Sequence, residues 1–298
     1  MKITHSYIGI SAIVLSSLLT ACGDKTSQQG ATKTVEWKEQ KIDHVKVTYT
    51  ALNIKAKGAI DSFKKAYTEA QQKTILSINR VDSKNLHRLD TLLVPSDVDA
   101  EWMRYSVFPY NIPSLKEVKK IVFFSYPAQA FGAYEYGKLV YWGPTSMGRK
   151  DMPTPTKLYY ANWKAEETQS TVDDEWILKW NFNIENKEGI GWHEYEMPGY
   201  PASHSCLRML EADAKYMYEW AEQWIQKDEQ TVAAKGTPAI VFGSYPFDGP
   251  KPWYALLQNP DALDISVKTL EDQALPHLEE ILNEQRNREA VAAKQEKK

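Results

Sequence analysis

Residues 191–209, GWHEYEMPGYPASHSCLRM, place Cys206 close in sequence to His193 and His204. A cysteine thiol attacks as its thiolate, and an unperturbed pKa of about 8.5 leaves it mostly protonated near neutral pH. A neighbouring imidazole or a helix N-terminus lowers that pKa. An amphipathic run that predicts a helix, residues 209–226, follows Cys206. The stretch therefore predicts a cysteine nucleophile, with a buried and inert cysteine as the alternative.

Several blocks of the sequence resemble one protein family. Residues 203–209, SHSCLRM, are similar to the motif S-H-G-C-[IV]-R-[LM] of the L,D-transpeptidases (YkuD-like domains), which remodel bacterial peptidoglycan, and the isolated His193 precedes them as in that family. Residues 146–156, SMGRKDMPTPT, resemble the family block S-x-G-x-x-x-x-P-T-P-T-G. Residues 237–242, TPAIVF, resemble its last strand. The resemblance covers roughly residues 119–243.

The resemblance implies acyl transfer in two steps, with no metal and no cofactor. A cysteine thiolate attacks a carbonyl of a peptidoglycan stem peptide, releases the terminal D-alanine and leaves a thioester. An amine of another stem then resolves the thioester to a 3→3 cross-link. The roles that the resemblance implies fall to Cys206 (nucleophile), His193 (general base), Glu194 (backbone carbonyl that orients His193), Ser205 and Cys206 (oxyanion amides), His204 (support of the loop and of the oxyanion), and Ser203 and Arg208 (substrate binding).

Two of these assignments keep an alternative. His204 is the rival candidate for the base, although a residue two positions before the nucleophile in a tight loop is better placed to shape that loop. Arg208 either holds a substrate carboxylate through a bidentate contact or forms a structural salt bridge.

The sequence departs from the family pattern at three places. Ser205 stands where the family has a glycine, and if that position requires a positive φ, serine carries strain of about 1–3 kcal/mol. The connection between His193 and Ser203 is shorter than is common in the family, and its PGYP segment, residues 198–201, suits a tight turn. Lys157 replaces the glycine that usually follows P-T-P-T.

The N-terminus predicts an exported lipoprotein. Residues 1–21 have Lys2 followed by an apolar run too short to span a bilayer, which predicts a cleaved signal peptide. Residues 19–22, LTAC, resemble the lipobox of bacterial lipoproteins, in which Cys22 becomes lipidated and anchors the protein to a cell-envelope membrane, facing the periplasm or cell wall. An ordinary signal peptide or an uncleaved anchor is the alternative. If Cys22 is lipidated, Cys206 is the only free thiol.

The rest of the chain divides into four parts. Residues 22–38 are polar and predict a flexible tether. Residues 39–97 contain a helical pattern at 59–70 and a segment that resembles the second half of a LysM-type module, which predicts a small α/β unit that either binds glycan or serves only in packing. Residues 113–245 are the expected catalytic domain. Residues 246–298 predict a helical C-terminal extension, interrupted by Pro276 and ending in a solvated or frayed tail.

The predicted fold class is α+β, with a mainly β, sandwich-like catalytic domain and a packed helix. Residues 120–125, 131–134 and 139–142 have strand patterns, and residues 135–138 predict a hairpin turn. The PTPT segment at 153–156 cannot lie in a central strand, because proline lacks the amide donor that the ladder needs.

Composition limits the partners. A net charge of −3 argues against nucleic acid, and two cysteines leave no CxxC-type zinc site. The family resemblance implies peptidoglycan stem peptides as partners and possible inhibition by carbapenems, and the lipobox implies a membrane through the N-terminal lipid. The leading hypothesis is an L,D-transpeptidase. The alternatives are an L,D-carboxypeptidase or hydrolase that uses the same site, and a non-catalytic wall-binding lipoprotein.

Overall fold

The N-terminal unit has the order βααβ. The computed structural model describes residues 37–41, 47–170 and 177–295. Strand β1 (Tyr49–Asn53) pairs antiparallel with β2 (Thr91–Pro95), and helices α1 (Ala59–Ala66) and α2 (Glu69–Ile78) lie between them. The unit has a core of its own, formed by Ile54, Phe63, Ile75, Leu76, Val81, Leu86, Leu89, Leu92 and Val94. Its LysM resemblance stays a prediction, and the signal peptide, the lipidated Cys22 and most of the tether lie outside the described residues.

The single helix expected over residues 59–70 is wrong in one respect, because the chain forms two helices there. Tyr67 adopts an extended conformation, with φ −123° and ψ 139°, and ends α1. Thr68 then caps α2, since its hydroxyl accepts a hydrogen bond from the Gln71 amide while the Gln71 side chain accepts one from the Thr68 amide. This reciprocal capping favours a new helix start over continuation of the old one.

The first sheet has five strands in the order β5-β4-β3-β13-β6. They are β3 (Ile121–Ser125), β4 (Ala130–Glu135), β5 (Lys138–Pro144), β6 (Leu158–Tyr160) and β13 (Pro238–Phe242). All but β6, for which no strand was predicted, confirm strands predicted from the sequence. Tyr136 and Gly137 turn between β4 and β5 with φ of 50° and 70°, as a two-residue hairpin loop requires.

The second sheet has the order β10-β9-β8-β7 and packs on the first. Its strands are β7 (Lys164–Gln169), β8 (Ile177–Glu185), β9 (Ile190–Glu194) and β10 (Leu207–Met209). Helix α3 (Glu211–Trp220) follows, and then a hairpin of β11 (Ile225–Asp228) and β12 (Thr231–Ala234). The helix expected over residues 209–226 is therefore too long at both ends. At its start, Met209 pairs with β9, and at its end Ala221 leaves the helical conformation with ψ 148°.

Side chains of β3 alternate between two cores. Ile121 and Phe123 face a core that is shared with the C-terminal segment, whereas Val122 and Phe124 face the second sheet and α3. The arrangement confirms a mixed α+β fold with mainly β sheets. The described residues from Lys38 onward form one compact unit.

The C-terminal segment is helical, as expected. Helix α4 (Val267–Ala274) is followed by a 3₁₀ turn around Pro276 and by α5 (Leu278–Gln295). The tail from residue 288, expected to be solvated or frayed, is largely solvated, since residues 289, 290 and 293–295 are exposed. It is not frayed as far as Gln295, where α5 ends, and the Arg288 guanidinium lies 2.8 Å from a carboxylate oxygen of Glu222. In the described part of the chain, no helix combines the length and the apolar character needed to cross a bilayer.

Candidate active site

Strands β9 and β10 place the candidate residues on one face of the second sheet. The two strands run parallel, with Leu207 opposite Trp192 and Arg208 opposite His193. Leu207 and Trp192 are buried in the core between the sheets. Because successive side chains of a strand point to opposite faces, His193, Arg208 and the preceding Cys206 share the other face. They line a small cavity of about 30 Å³ together with Ser170, Leu178, Tyr195, Ser203 and His204.

His193 is fixed in one orientation. Its side chain is buried, and its Nδ1 lies 2.8 Å from the backbone carbonyl of Glu194. A carbonyl only accepts, so Nδ1 carries the proton and Nε2 is the nitrogen able to accept one. Burial lowers the pKa of His193 to about 4. The imidazole is therefore neutral at physiological pH and competent as a base.

Cys206 is half-buried, and its thiol donates a long hydrogen bond of 3.7 Å to the Gly189 carbonyl. Burial raises the pKa of the thiol, although the Gly191 amide and the Arg208 charge act in the opposite direction. The expectation that a helix N-terminus follows Cys206 is wrong, because β10 stands between Cys206 and α3. The resting thiol is therefore protonated at neutral pH.

Ser205 adopts the left-handed conformation that the family glycine suggested, with φ 76°. Its hydroxyl donates to the backbone carbonyls of Met152 and Pro153, at 3.3 and 3.1 Å. Both acceptors belong to the loop that contains the PTPT segment, which lies outside the strands as predicted. The serine side chain thus links the cysteine turn to that loop, a contact that glycine cannot make.

Thr154 joins the two sequence blocks of the site. Its hydroxyl donates to the Ser205 carbonyl at 2.8 Å and accepts from the Gly148 amide at 3.0 Å, and its side chain is buried. A Cβ atom added at Gly148 would lie 2.3 Å from the Met152 carbonyl oxygen, so this close approach requires glycine. Sequence comparison found both blocks but gave no signal for the hydrogen bonds between them.

The remaining predicted site residues lie around the same cavity in different roles. The Arg208 guanidinium lies 4.5 Å from the Tyr195 ring and donates to the Glu196 carbonyl at 3.3 Å. No carboxylate among the described residues pairs with it, so the expected alternative of a structural salt bridge is absent from that part of the chain. The hydroxyl of Ser203 donates to the Cys206 carbonyl at 2.5 Å and so shapes the turn.

His204 is half-buried at the edge of the cavity, and its pKa is lowered by burial and by the charges of Arg149 and Arg208. The Glu194 carbonyl, expected to orient the base, contacts Nδ1 of His193. Within the described ranges no group of three or more His, Cys, Asp or Glu side chains is arranged to hold a metal ion.

Comparison with known proteins gives one family. Residues 119–241 match the model of the L,D-transpeptidase catalytic domain (YkuD). No curated protein matches the chain.

Among solved structures, the chain is similar to L,D-transpeptidases of several organisms. That of Stackebrandtia nassauensis is 22% identical over 43% of this chain and 58% of its own, with a TM-score of 0.36. That of Mycobacterium smegmatis is 19% identical over 42% and 59%, with a TM-score of 0.33. That of Enterococcus faecium is 20% identical over 42% and 50%, with a TM-score of 0.34. The chain thus spans less than two thirds of the length of each.

Proposed function

We propose that this chain is a peptidoglycan L,D-transpeptidase in which Cys206 forms the acyl-enzyme and His193 is the general base. The observation that carries the proposal is the shared cavity of the two side chains, in which the Glu194 carbonyl holds His193 in the tautomer whose Nε2 accepts a proton. The family match over residues 119–241 supports the same activity.

Acylation starts from an uncharged pair. Burial disfavours both thiolate and imidazolium, since it raises the pKa of Cys206 and lowers that of His193. His193 Nε2 therefore takes the thiol proton as the sulfur bonds to the third-residue carbonyl of a tetrapeptide stem. The amides of Ser205 and Cys206 are the proposed donors to the oxyanion, worth about 3 kcal/mol each in such sites. When the tetrahedral intermediate collapses, the bond to D-alanine breaks and His193 protonates the departing amine.

The second half-reaction reverses these roles. An acceptor amine attacks the thioester carbonyl, His193 takes its proton, and the C–S bond breaks to return the thiol. An amine from a second stem gives a 3→3 cross-link, whereas water gives an L,D-carboxypeptidase or hydrolase with the same first step. Arg208, which has no carboxylate partner among the described residues, is the proposed contact for a substrate carboxylate.

The contacts of Ser205 favour an enzyme over a decayed, non-catalytic wall-binding protein. A decayed site would show a strained serine without compensation, but this hydroxyl donates a bifurcated hydrogen bond to two carbonyls of the neighbouring loop. The turn that carries the two oxyanion amides is thus held in the left-handed conformation that the family glycine adopts readily.

The proposed location follows from the N-terminal sequence. Lipidation of Cys22 would anchor the protein to a cell-envelope membrane, where its stem-peptide substrates lie. In cells, a Cys22→Ala variant is then expected to leave the membrane fraction. Retention of that variant in membranes would contradict the lipid anchor without touching the proposed chemistry.

The decisive experiment supplies purified disaccharide-tetrapeptide and follows the products by mass spectrometry, with Cys206→Ala as the control. Cross-linked dimer with D-alanine release, absent from the variant, is the expected result. Tripeptide alone would assign the hydrolytic reaction. The same products from wild type and Cys206→Ala, or no product from either, would contradict the proposal. A carbapenem adduct on Cys206 in the intact-mass spectrum gives an independent check of the nucleophile.

A further inference from the structure

The βααβ unit contacts the segment that leads from the base to the nucleophile. We call residues 195–202 the connecting loop, because they run from β9, which ends just after His193, to the turn that carries Cys206. Val81 forms an antiparallel bridge with Pro198 in this loop. The Asp82 amide donates to the Met197 carbonyl at 2.9 Å, and the Met197 amide donates to Asp82 Oδ2 at 2.7 Å.

The Asp82 carboxylate is fixed on its own side of this contact. Oδ1 accepts from the amides of Lys84 and Asn85, at 2.8 and 2.9 Å. The Asn85 side-chain amide reaches both carboxylate oxygens, and Asn85 is buried. A carboxylate held by several donors loses little further freedom when it accepts one more. Its bond to the Met197 amide is a charge-assisted contact of the stronger kind.

The unit is also anchored to the first sheet, so it can act as a rigid support. Arg80 is buried, its Nε donates to the Ala128 carbonyl at 2.9 Å, and its guanidinium lies 5.1 Å from the Trp253 ring. Gln129, next along the chain from Ala128, accepts the Met147 amide at 2.8 Å through Oε1. The contacts of the βααβ unit therefore lead, through residues 128 and 129, to residues 146–156, which hydrogen-bond to the turn that carries Cys206.

The opposite side of the connecting loop is held by the catalytic region. The Ser146 hydroxyl donates to the Tyr200 carbonyl at 2.7 Å and accepts from the Ala202 amide at 3.2 Å. Arg208 donates to the Glu196 carbonyl at 3.3 Å. The connecting loop is thus hydrogen-bonded to the catalytic region on one side and to the βααβ unit on the other. Because this loop separates His193 from Cys206, a shift on either side would move these two residues relative to each other.

We propose that Asp82 is a positioning residue for the chemistry of Cys206 and His193, and that the βααβ unit supports the connecting loop between these two residues. Asp82 acts through Met197 and the connecting loop and does not touch the substrate. This positioning role rests on the proposed function, because that function supplies the reaction. What Asp82 positions is only the thiol of Cys206 relative to the imidazole of His193, and this geometry can be tested without the transpeptidase reaction.

Two variants of the full-length chain separate positioning from general stability. Asp82→Asn keeps a side-chain oxygen for the turn amides of Lys84 and Asn85 but sets an NH₂ group against the Met197 amide. The substitution therefore breaks this side-chain contact with the loop, at the further cost of one of the two contacts of the Asn85 side-chain amide. Thr68→Ala is the matched control, because it removes the cap of α2 in the same unit and leaves the loop contact intact.

The assay is the acylation of Cys206 by a carbapenem, followed by intact mass and resolved into the rate constant at saturation and the half-saturating concentration. For Asp82→Asn the rate constant should fall about 10- to 100-fold, as expected for a small misplacement of reacting groups, with the half-saturating concentration unchanged. Thr68→Ala should react at the wild-type rate well below its melting temperature. Equal rates for Asp82→Asn and wild type, or equal losses in both variants, would overturn the proposal.

A second readout keeps the two proposals distinguishable. Alkylation by iodoacetamide, located at Cys206 by peptide mass spectrometry and measured from pH 5 to 10, reports the surroundings of the thiol without any transpeptidase chemistry. A displaced profile in Asp82→Asn but not in Thr68→Ala is expected, and superimposable profiles would refute the positioning role. A wild-type protein that alkylates normally but is never acylated would count against the proposed function alone.

Discussion

The backbone at Ser205 allows strain and hydrogen bonding to be measured separately with two substitutions. Ser205→Ala keeps the left-handed φ of 76° but loses the hydroxyl that donates to Met152 and Pro153. That loss should lower the free energy of unfolding by about 0.5–1.5 kcal/mol, the net value of a typical hydrogen bond. Ser205→Ala and the second variant, Ser205→Gly, both retain the backbone amide of residue 205, so the effect on the proposed oxyanion donors is small.

Ser205→Gly loses the same hydroxyl but also relieves the left-handed strain. Relief of that strain is worth about 1–2 kcal/mol. The greater conformational freedom of glycine in the unfolded chain lowers the free energy of unfolding by about 0.4–1 kcal/mol. The glycine variant should therefore be more stable than the alanine variant by about 1 kcal/mol and close to wild type. A protein of this size shifts its melting temperature by about 2–4 °C per kcal/mol, so the difference is measurable.

Chemical denaturation of the three proteins, with the slope of each transition checked for equality, is the assay for this ordering. Glycine close to serine, with alanine least stable, is the expected result. If alanine equals wild type, the hydrogen bond of the Ser205 hydroxyl contributes nothing. If glycine is less stable than alanine by about 0.4–1 kcal/mol, the cost of its greater freedom in the unfolded chain, the position carries no strain. Either outcome would refute the explanation given for this departure from the family motif.

Three further outcomes follow from buried polar groups. Thr154→Val should lower the free energy of unfolding by about 2–4 kcal/mol in chemical denaturation, because it leaves the Gly148 amide and the Ser205 carbonyl without their partner. The control Thr156→Val, at an exposed position, should change that free energy little. Burial raises the pKa of Asp213 from 3.8 to about 6, so the folded state binds a proton that the unfolded state has released. Wild type should therefore lose about 2 kcal/mol of unfolding free energy relative to Asp213→Asn between pH 4 and pH 7. A pH-independent difference between the two proteins in denaturant titrations would contradict this. The rate constant of Cys206 acylation at saturation should vary by less than about two-fold from pH 5 to 8. The lowered pKa of His193 and the raised pKa of Cys206 both lie outside that range. A rise in rate through pH 6 to 7 would instead indicate a base that titrates there.

Local patterns in the sequence predicted the strands well and the helices less well. The apolar runs of β3, β4 and β5 are short and bounded by turn residues, and the structure has strands at those places. The helical spacing of residues 209–226 is real, but tertiary pairing overrides it at Met209, which joins β10. Trp224 was counted on the helix, yet its amide donates to the Asn162 carbonyl beyond the helix end. Periodicity cannot detect such long-range partners.

Site residues could be predicted where the chemistry of the side chain itself indicates a role. They could not be predicted where the role depends on a contact with a residue distant in sequence. A cysteine and an isolated histidine in a family motif identify Cys206 and His193, although their roles stay predictions. Thr154 and Asp82 carry no comparable signal, because their importance depends on the Ser205 carbonyl and the Met197 amide that folding brings to them. Burial was also invisible from sequence, and it reverses the expectation of a preformed thiolate at Cys206.

The short connecting loop explains why the βααβ unit and the catalytic region pack as one body. The prolines of this loop, Pro198 and Pro201, lack amide donors. Backbone polar groups of Met197 are satisfied by Asp82 on one side, and those of Tyr200 and Ala202 by Ser146 on the other. Hydrogen bonds that hold the connecting loop therefore cross the unit boundary expected at residue 97. Loss of the first unit should consequently disturb the catalytic loop even where the second unit keeps its own sheets.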